Sequence, residues 1–144
     1  MTLKMTTLRK CAIAAIGLLT AAQAFAGNPP KREFRSAWLA TVWAIDWPKT
    51  SGQSARKTEL NAYLDAYESI NATGICFQVR GMADAMYQSN LAPWSQYISG
   101  TRGTSPGWDP LAYAVEQCHA RGLECYAWLN PYRWSSTGTI PSST

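Results

Sequence analysis

Hydrophobic and polar positions along this chain switch between two periods. Over 34–43 the run FRSAWLATVW is rich in β-forming residues and nearly free of charge, the pattern of a strand covered on both faces. From Ser54 the period lengthens. Leu60, Tyr63, Leu64, Tyr67 and Ile70 recur at three and four, with Arg56, Lys57, Glu59, Asp65 and Glu68 largely on other faces. That predicts a helix, which Gly74 is placed to end. Over 75–80 the period returns to two, with Ile75, Phe77 and Val79 on one face and Cys76, Gln78 and Arg80 on the other. A long connection follows over 81–108. Asp109-Pro110 then opens a second helix, the Asp capping free N–H groups and the Pro lacking one. Its apolar stripe is Leu111, Ala114, Val115 and Cys118, and Gly122 ends it. A third strand is predicted over 123–130, with Leu123, Cys125, Ala127 and Leu129 on one face and Glu124, Tyr126, Trp128 and Asn130 on the other.

Strands alternating with helices, without a hairpin signal, imply an α/β fold with a parallel sheet and right-handed crossovers. A doubly wound open sheet and a (β/α)₈ barrel both fit that order. The strand faces favour the barrel. In the second and third strands one face is aliphatic, while the other turns polar towards its C-terminal end (Gln78, Arg80; Trp128, Asn130). A barrel strand has one face under helices and one towards a lumen with the site above it. Since a complete barrel takes roughly 250 residues, the expectation is the first three β/α units of a (β/α)₈ TIM barrel, incomplete in this chain.

The N-terminus changes the charge argument. Lys4, Arg9 and Lys10 precede an uncharged apolar or small-residue run from Cys11 to Ala22, and Ala24-Phe25-Ala26 supplies small residues at −3 and −1. Residues 1–26 therefore read as a cleavable signal peptide, too short to span a bilayer, with export to a bacterial periplasm or the exterior and no stable membrane anchor after cleavage. Residues 27–33 read as a polar linker, and 34–144 as the domain. The full chain has 13 Lys+Arg against 9 Asp+Glu. Three bases leave with the signal, so ten remain against nine, and the basic balance is largely a targeting feature. With only Lys31, Arg32 and Arg35 clustered, nucleic acid is not an expected partner. The spacing shows no phosphate-binding loop, dinucleotide fingerprint, metal-ligand set or nucleophile–histidine pair, and His119 is the single histidine. No cofactor or metal is expected.

All seven Trp and all seven Tyr lie beyond the signal. Trp47, Trp94, Trp108 and Trp134 fall in segments rich in Pro, Gly, Ser and Asp. Loop tryptophans beside polar groups suit sugars, which have an apolar ring face and a polar edge; the alternative is that they plug loops onto the sheet. Cys118 and Cys125 point into the helix–sheet layer across one tight turn. A disulfide between them is a candidate, against two ordinary buried thiols.

FRSAWLATVWAIDWP, FQVRGMADAMYQSNLAPWSQYISGTRG and GWDPLAYAVEQCHARGLECYAWLNPYR occur in order at plausible spacing. Together they resemble the N-terminal part of the glycosyl-hydrolase-like 10 family of bacterial envelope proteins, over about residues 32 to 134. One departure is Gly81, where family members often have Pro. The resemblance implies a (β/α)₈ barrel, glycoside hydrolysis, and a cell-wall-type polysaccharide, such as peptidoglycan glycan strands, as substrate. A marked acidic motif follows the family's fourth strand, beyond the three strands read here.

Glycoside hydrolysis normally needs two carboxylates across the scissile bond, and in a barrel both sit at C-terminal strand ends. Asp46 and Asp84 are the acids so placed. They are weak catalytic candidates, because carboxylates there also anchor loops by hydrogen bonds. Arg80 and Asn130 end their strands and offer donors suited to sugar hydroxyls or a carboxylate. The alternative for Arg80 is an ion pair with Asp84 or Asp46. Trp43, Trp47, Gln78, Trp94, Trp128, Tyr132 and Arg133 complete the expected substrate-binding set. Two functions stand: the N-terminal segment of an exported glycoside hydrolase, inactive alone, or a non-catalytic secreted carbohydrate-binding protein.

Overall fold

A computed structural model describes residues 33–135, so the signal-peptide reading of 1–26 and most of the linker lie outside the described residues. Phe34 begins the unit described below. Its elements are β1 (Ser36–Leu39), a 3-10 turn (Val42–Ala44), α1 (Gln53–Ser69), β2 (Gly74–Arg80), the short α2 (Gln96–Ser99), α3 (Pro110–Ala120) and β3 (Glu124–Leu129). This is a mixed α/β architecture. The strands form one parallel sheet in the order β1-β2-β3, with Trp38 opposite Cys76 and Cys76 opposite Tyr126.

The period-two faces sort the sheet into two different surfaces. Leu39, Ile75, Phe77 and Val79 are buried against Leu60 and Leu64 of α1, Ala114 and Cys118 of α3, and Leu123, with Cys125 packed at the margin. Both long helices therefore serve the same sheet face. The opposite face carries Trp38 and Tyr126, both exposed, and Trp128, which meets Trp38 edge-on at 4.7 Å between ring centroids. Asp109 caps α3 as its position predicts: one carboxylate oxygen accepts from Ala112 N at 2.9 Å and the other from Gln88 N at 3.1 Å. The second bond fastens the long 81–108 connection to the helix start. That connection is ordered around buried Met82, Ala85, Met86, Trp94 and Ile98.

Two boundaries differ from the sequence reading. The strand expected over 34–43 ends at Leu39. Beyond it the chain leaves the sheet, because side chains capture its N–H groups. Asp46 Oδ2 accepts from Ala40 N at 2.7 Å, and Gln78 Oε1 accepts from Thr41 N and Val42 N at 2.9 and 2.8 Å. The first helix ends at Ser69, before Asn71 takes a left-handed φ of 56°, so Gly74 does not terminate it. Gly74 opens β2 instead. There a Cβ would stand 2.7 Å from the Glu124 carbonyl oxygen, a backbone atom that cannot swing aside.

Replacing that glycine tests the packing of β2 on β3. Gly74→Ala should cost about 1–3 kcal/mol of stability, the usual penalty for forcing extra volume into a close-packed site, read by urea unfolding. A neutral substitution would mean that the strands separate more easily than this contact implies.

Candidate functional site

Because the strands are parallel, their C-terminal ends share one edge of the sheet, and the segments leaving it come together there. The β1 end is built first. Gln78 is fully buried in β2, and its side chain bridges to the neighbouring loop: Oε1 takes the two N–H groups of Thr41 and Val42, while Thr41 Oγ1 donates to Gln78 O at 2.9 Å. Held this way, the chain enters its 3-10 turn with Trp43 and Ala44 at φ 54° and 50°. Such left-handed values are uncommon for residues with side chains, and the surroundings must hold them. The result is that Trp43 stands 54% exposed.

The β3 end supplies the facing wall. Asn130 N donates to Arg80 O at 3.0 Å, Asn130 Nδ2 donates to Gly81 O at 3.2 Å, and Trp128 Nε1 donates to Asn130 Oδ1 at 2.9 Å. Asn130 thus fastens the segments leaving β2 and β3 to each other. Arg133 reaches back so that its guanidinium carbon lies 5.5 Å from the Trp43 ring centroid, a cation–π arrangement. At the ends of β2 and β3 is a cleft of about 230 Å³ lined by Arg80, Ala83, Leu129, Asn130, Pro131, Arg133 and Trp134. It combines guanidinium and amide groups with apolar walls. Among the described residues no group of three or more His, Cys, Asp or Glu side chains is placed to hold a metal ion.

The sequence-predicted residues divide accordingly. Arg80, Asn130 and Arg133 line one cleft, and Trp43, itself outside the lining, stacks on Arg133. Gln78 and Trp128 act from beneath, as braces for the loop and for Asn130. Trp47 is a correction: it is fully buried, its ring meets Phe77 and Trp108 edge-on, and its Nε1 donates to Arg56 O at 3.0 Å. It plugs the loop onto the core and presents no face to a ligand. Trp94 packs in the core with Met86 and Ile98, and it also borders a separate open cleft with Pro93, Gly103 and Ser105, away from the Arg80–Arg133 cleft. Tyr132 is 98% exposed and outside the cleft lining. The reading missed Ala83, Leu129 and Pro131, whose residue types carry no chemical signal, and Trp134, which it noted only as a loop tryptophan.

Asp46 and Asp84 hold loops. Asp46 is spent on Ala40 N, and its own carbonyl accepts from the Tyr63 hydroxyl at 3.0 Å. Burial first, then the nearby Asp46 carboxylate, raises the Tyr63 phenol above its ordinary pKa, which keeps it a neutral donor. Asp84 is 3% exposed and its Oδ1 accepts from Met82 N at 3.0 Å. Neither carboxylate lines the cleft.

The Gln78 brace makes a measurable claim. Gln78→Leu removes the acceptor but not the volume, leaving two buried N–H groups unmet. It should cost about 2–6 kcal/mol by urea unfolding, at 1–3 kcal/mol for each stranded group. A loss below about 0.5 kcal/mol, no more than an ordinary surface change, would show that the β1 loop holds itself.

Residues 33–139 match the model of the family described as Glycosyl hydrolase-like 10. Among curated proteins, the chain is 43% identical over 104 residues to "Glycosyl hydrolase YngK" of Bacillus subtilis (strain 168), covering 71% of this chain and 20% of that protein. It is 36% identical over 118 residues to "Glycosyl hydrolase DigH" of Escherichia coli (strain K12), covering 74% of this chain and 27% of that relative. The chain thus spans between a fifth and about a quarter of the length of these relatives. The three motifs in order, the parallel β/α units they build and the family match agree: this chain belongs to the glycosyl hydrolase-like 10 family.

Proposed function

We propose that this chain contributes the first three β/α units of a (β/α)₈ barrel in an exported glycoside hydrolase, and that these units bind a cell-wall-type polysaccharide. Two features support the barrel. The strands run in chain order with both long helices on one face, whereas a doubly wound sheet reverses its order and covers both faces. The other face, with Trp38, Gln78, Arg80 and Trp128, is the one a closed barrel turns inward, and the cleft lies at the C-terminal strand ends, where barrel enzymes place their sites. Export rests on the signal-like character of residues 1–26.

The observation that carries the binding role is the pairing of Trp43 with Arg133 at the cleft rim. An exposed indole held in a strained backbone offers a flat apolar face, and such strain is typically retained where it serves a function. The guanidinium groups of Arg80 and Arg133 and the Asn130 amide add polar groups beside it, although Asn130 is partly committed to its loop. A sugar ring needs that combination. Within these units the role is binding, because Asp46 and Asp84 are committed to their loops and neither reaches the cleft. The same commitment favours the second reading, a carbohydrate-binding protein without hydrolysis.

Calorimetric titration of the full chain with soluble peptidoglycan glycan strands tests this. Trp43→Ala and Arg133→Ala should each weaken binding about tenfold, close to 1.4 kcal/mol, while Tyr132→Ala leaves it unchanged. No reducing ends should be released. Equal affinity for Trp43→Ala and wild type would overturn the site. Release of reducing ends by the chain would contradict its assignment to binding alone.

A further inference from the structure

Away from the cleft, on the helix-covered side of β3, two thiols meet in a setting that the glycan reading does not use. Cys118 lies in the last turn of α3 and is fully buried, and Cys125 is the second residue of β3 and half-buried. Both are free, and Cys125 packs against the buried cluster that contains Cys118, across one tight turn. We propose that Cys118 and Cys125 form an oxidisable dithiol site that reacts with small-molecule disulfides and closes into a covalent clamp between α3 and β3.

The backbone on both sides of the pair is already held. Arg121 N and Leu123 N both donate to Cys118 O, at 3.0 and 2.9 Å, and Gly122 takes the left-handed φ of 69° that this tight turn needs. Arg121 pairs with Asp65 of α1 at 2.7 Å. Glu124 N donates to Thr73 O at 2.9 Å, and Cys125 sits in register with Ile75 of the central strand. Closing the bond therefore orders little that is still free. Cys76 is no competitor: it lies on the opposite sheet face, against Ser36 Oγ at 3.4 Å.

The two sulfurs have different roles. Hydrogen bonding with the neighbouring Cys118 thiol favours the Cys125 thiolate and lowers its pKa despite burial, and the same interaction, with burial, raises that of Cys118. Cys125 is also the more accessible. It is the attacking thiolate. It forms a bond to one sulfur of the oxidant disulfide and expels the other half as a thiolate, giving a mixed disulfide. Cys118 then passes its proton to a leaving thiolate and attacks the Cys125 sulfur, expelling the second half. Two protein thiols lose two electrons in all, and one small disulfide becomes two thiols. The clamp would secure the strand that leads straight into the Asn130–Arg133 wall.

Incubating the native full chain with oxidised glutathione, then quenching in acid, alkylating and digesting with trypsin, tests the proposal. Cleavage after Arg121 separates the two cysteines, so the clamp appears as peptides 103–121 and 122–133 joined by a reducible bond. Cys118→Ser should instead stop at Cys125 carrying one glutathione. Cys125→Ser should leave Cys118 unmodified until denaturation. In urea the same treatment should spread links among all four cysteines. Recovery of Cys118 and Cys125 as free thiols from the native chain, or a yield of the joined peptides no higher than in urea, would overturn it.

Discussion

The Gln78 side chain is the interaction on which the rest of this site depends. It is buried in the central strand, and its one carbonyl oxygen satisfies two N–H groups that β1 would otherwise have paired in the sheet. By taking them it ends β1 early, turns the chain out of the sheet and keeps Trp43 and Ala44 in left-handed backbone. Asp46 completes the turn from the other side. A buried amide used this way is costly to disturb, because stranded backbone groups lose water without gaining a partner. The loop at the cleft rim is consequently fixed by the sheet below it.

Much of this was legible in the sequence, and the limits have physical reasons. Period-two and helical patterns located the three strands and both long helices, since one face of each had to be apolar. Strand ends were less visible. Whether 40–43 continues the ladder depends on the Asp46 carboxylate and the Gln78 amide, which act from outside the segment. The tryptophans show the same limit. Trp43 and Trp47 lie four residues apart in one loop region, yet one is exposed and the other is core. Local composition cannot separate them, because burial follows from how the long connection folds back. Arg80 and Asn130 could be singled out because one ends β2 and the other directly follows β3, whereas Arg133 lies in the loop beyond. Leu129 and Pro131 line the same cleft for reasons of shape alone.

The asymmetry of the sheet links fold to family. One face is closed by α1 and α3, while the other exposes Trp38 and Tyr126 and half-exposes Trp128. In the barrel proposed above for this member of the glycosyl hydrolase-like 10 family, that open face would be the one turned inward. The chemistry is divided in the same way. These units hold stacking and polar groups at strand ends, while their two loop carboxylates serve the backbone.

The central claim is that a glycan docks where the C-terminal ends of β1, β2 and β3 converge. The most direct test is a nuclear magnetic resonance titration of the full chain, following its seven indole Nε1–H signals as glycan strands are added. The account predicts that the Trp43 and Trp134 signals shift saturably while the buried Trp47 signal stays fixed. Saturable shifts confined to other tryptophans, with Trp43 unmoved, would contradict it.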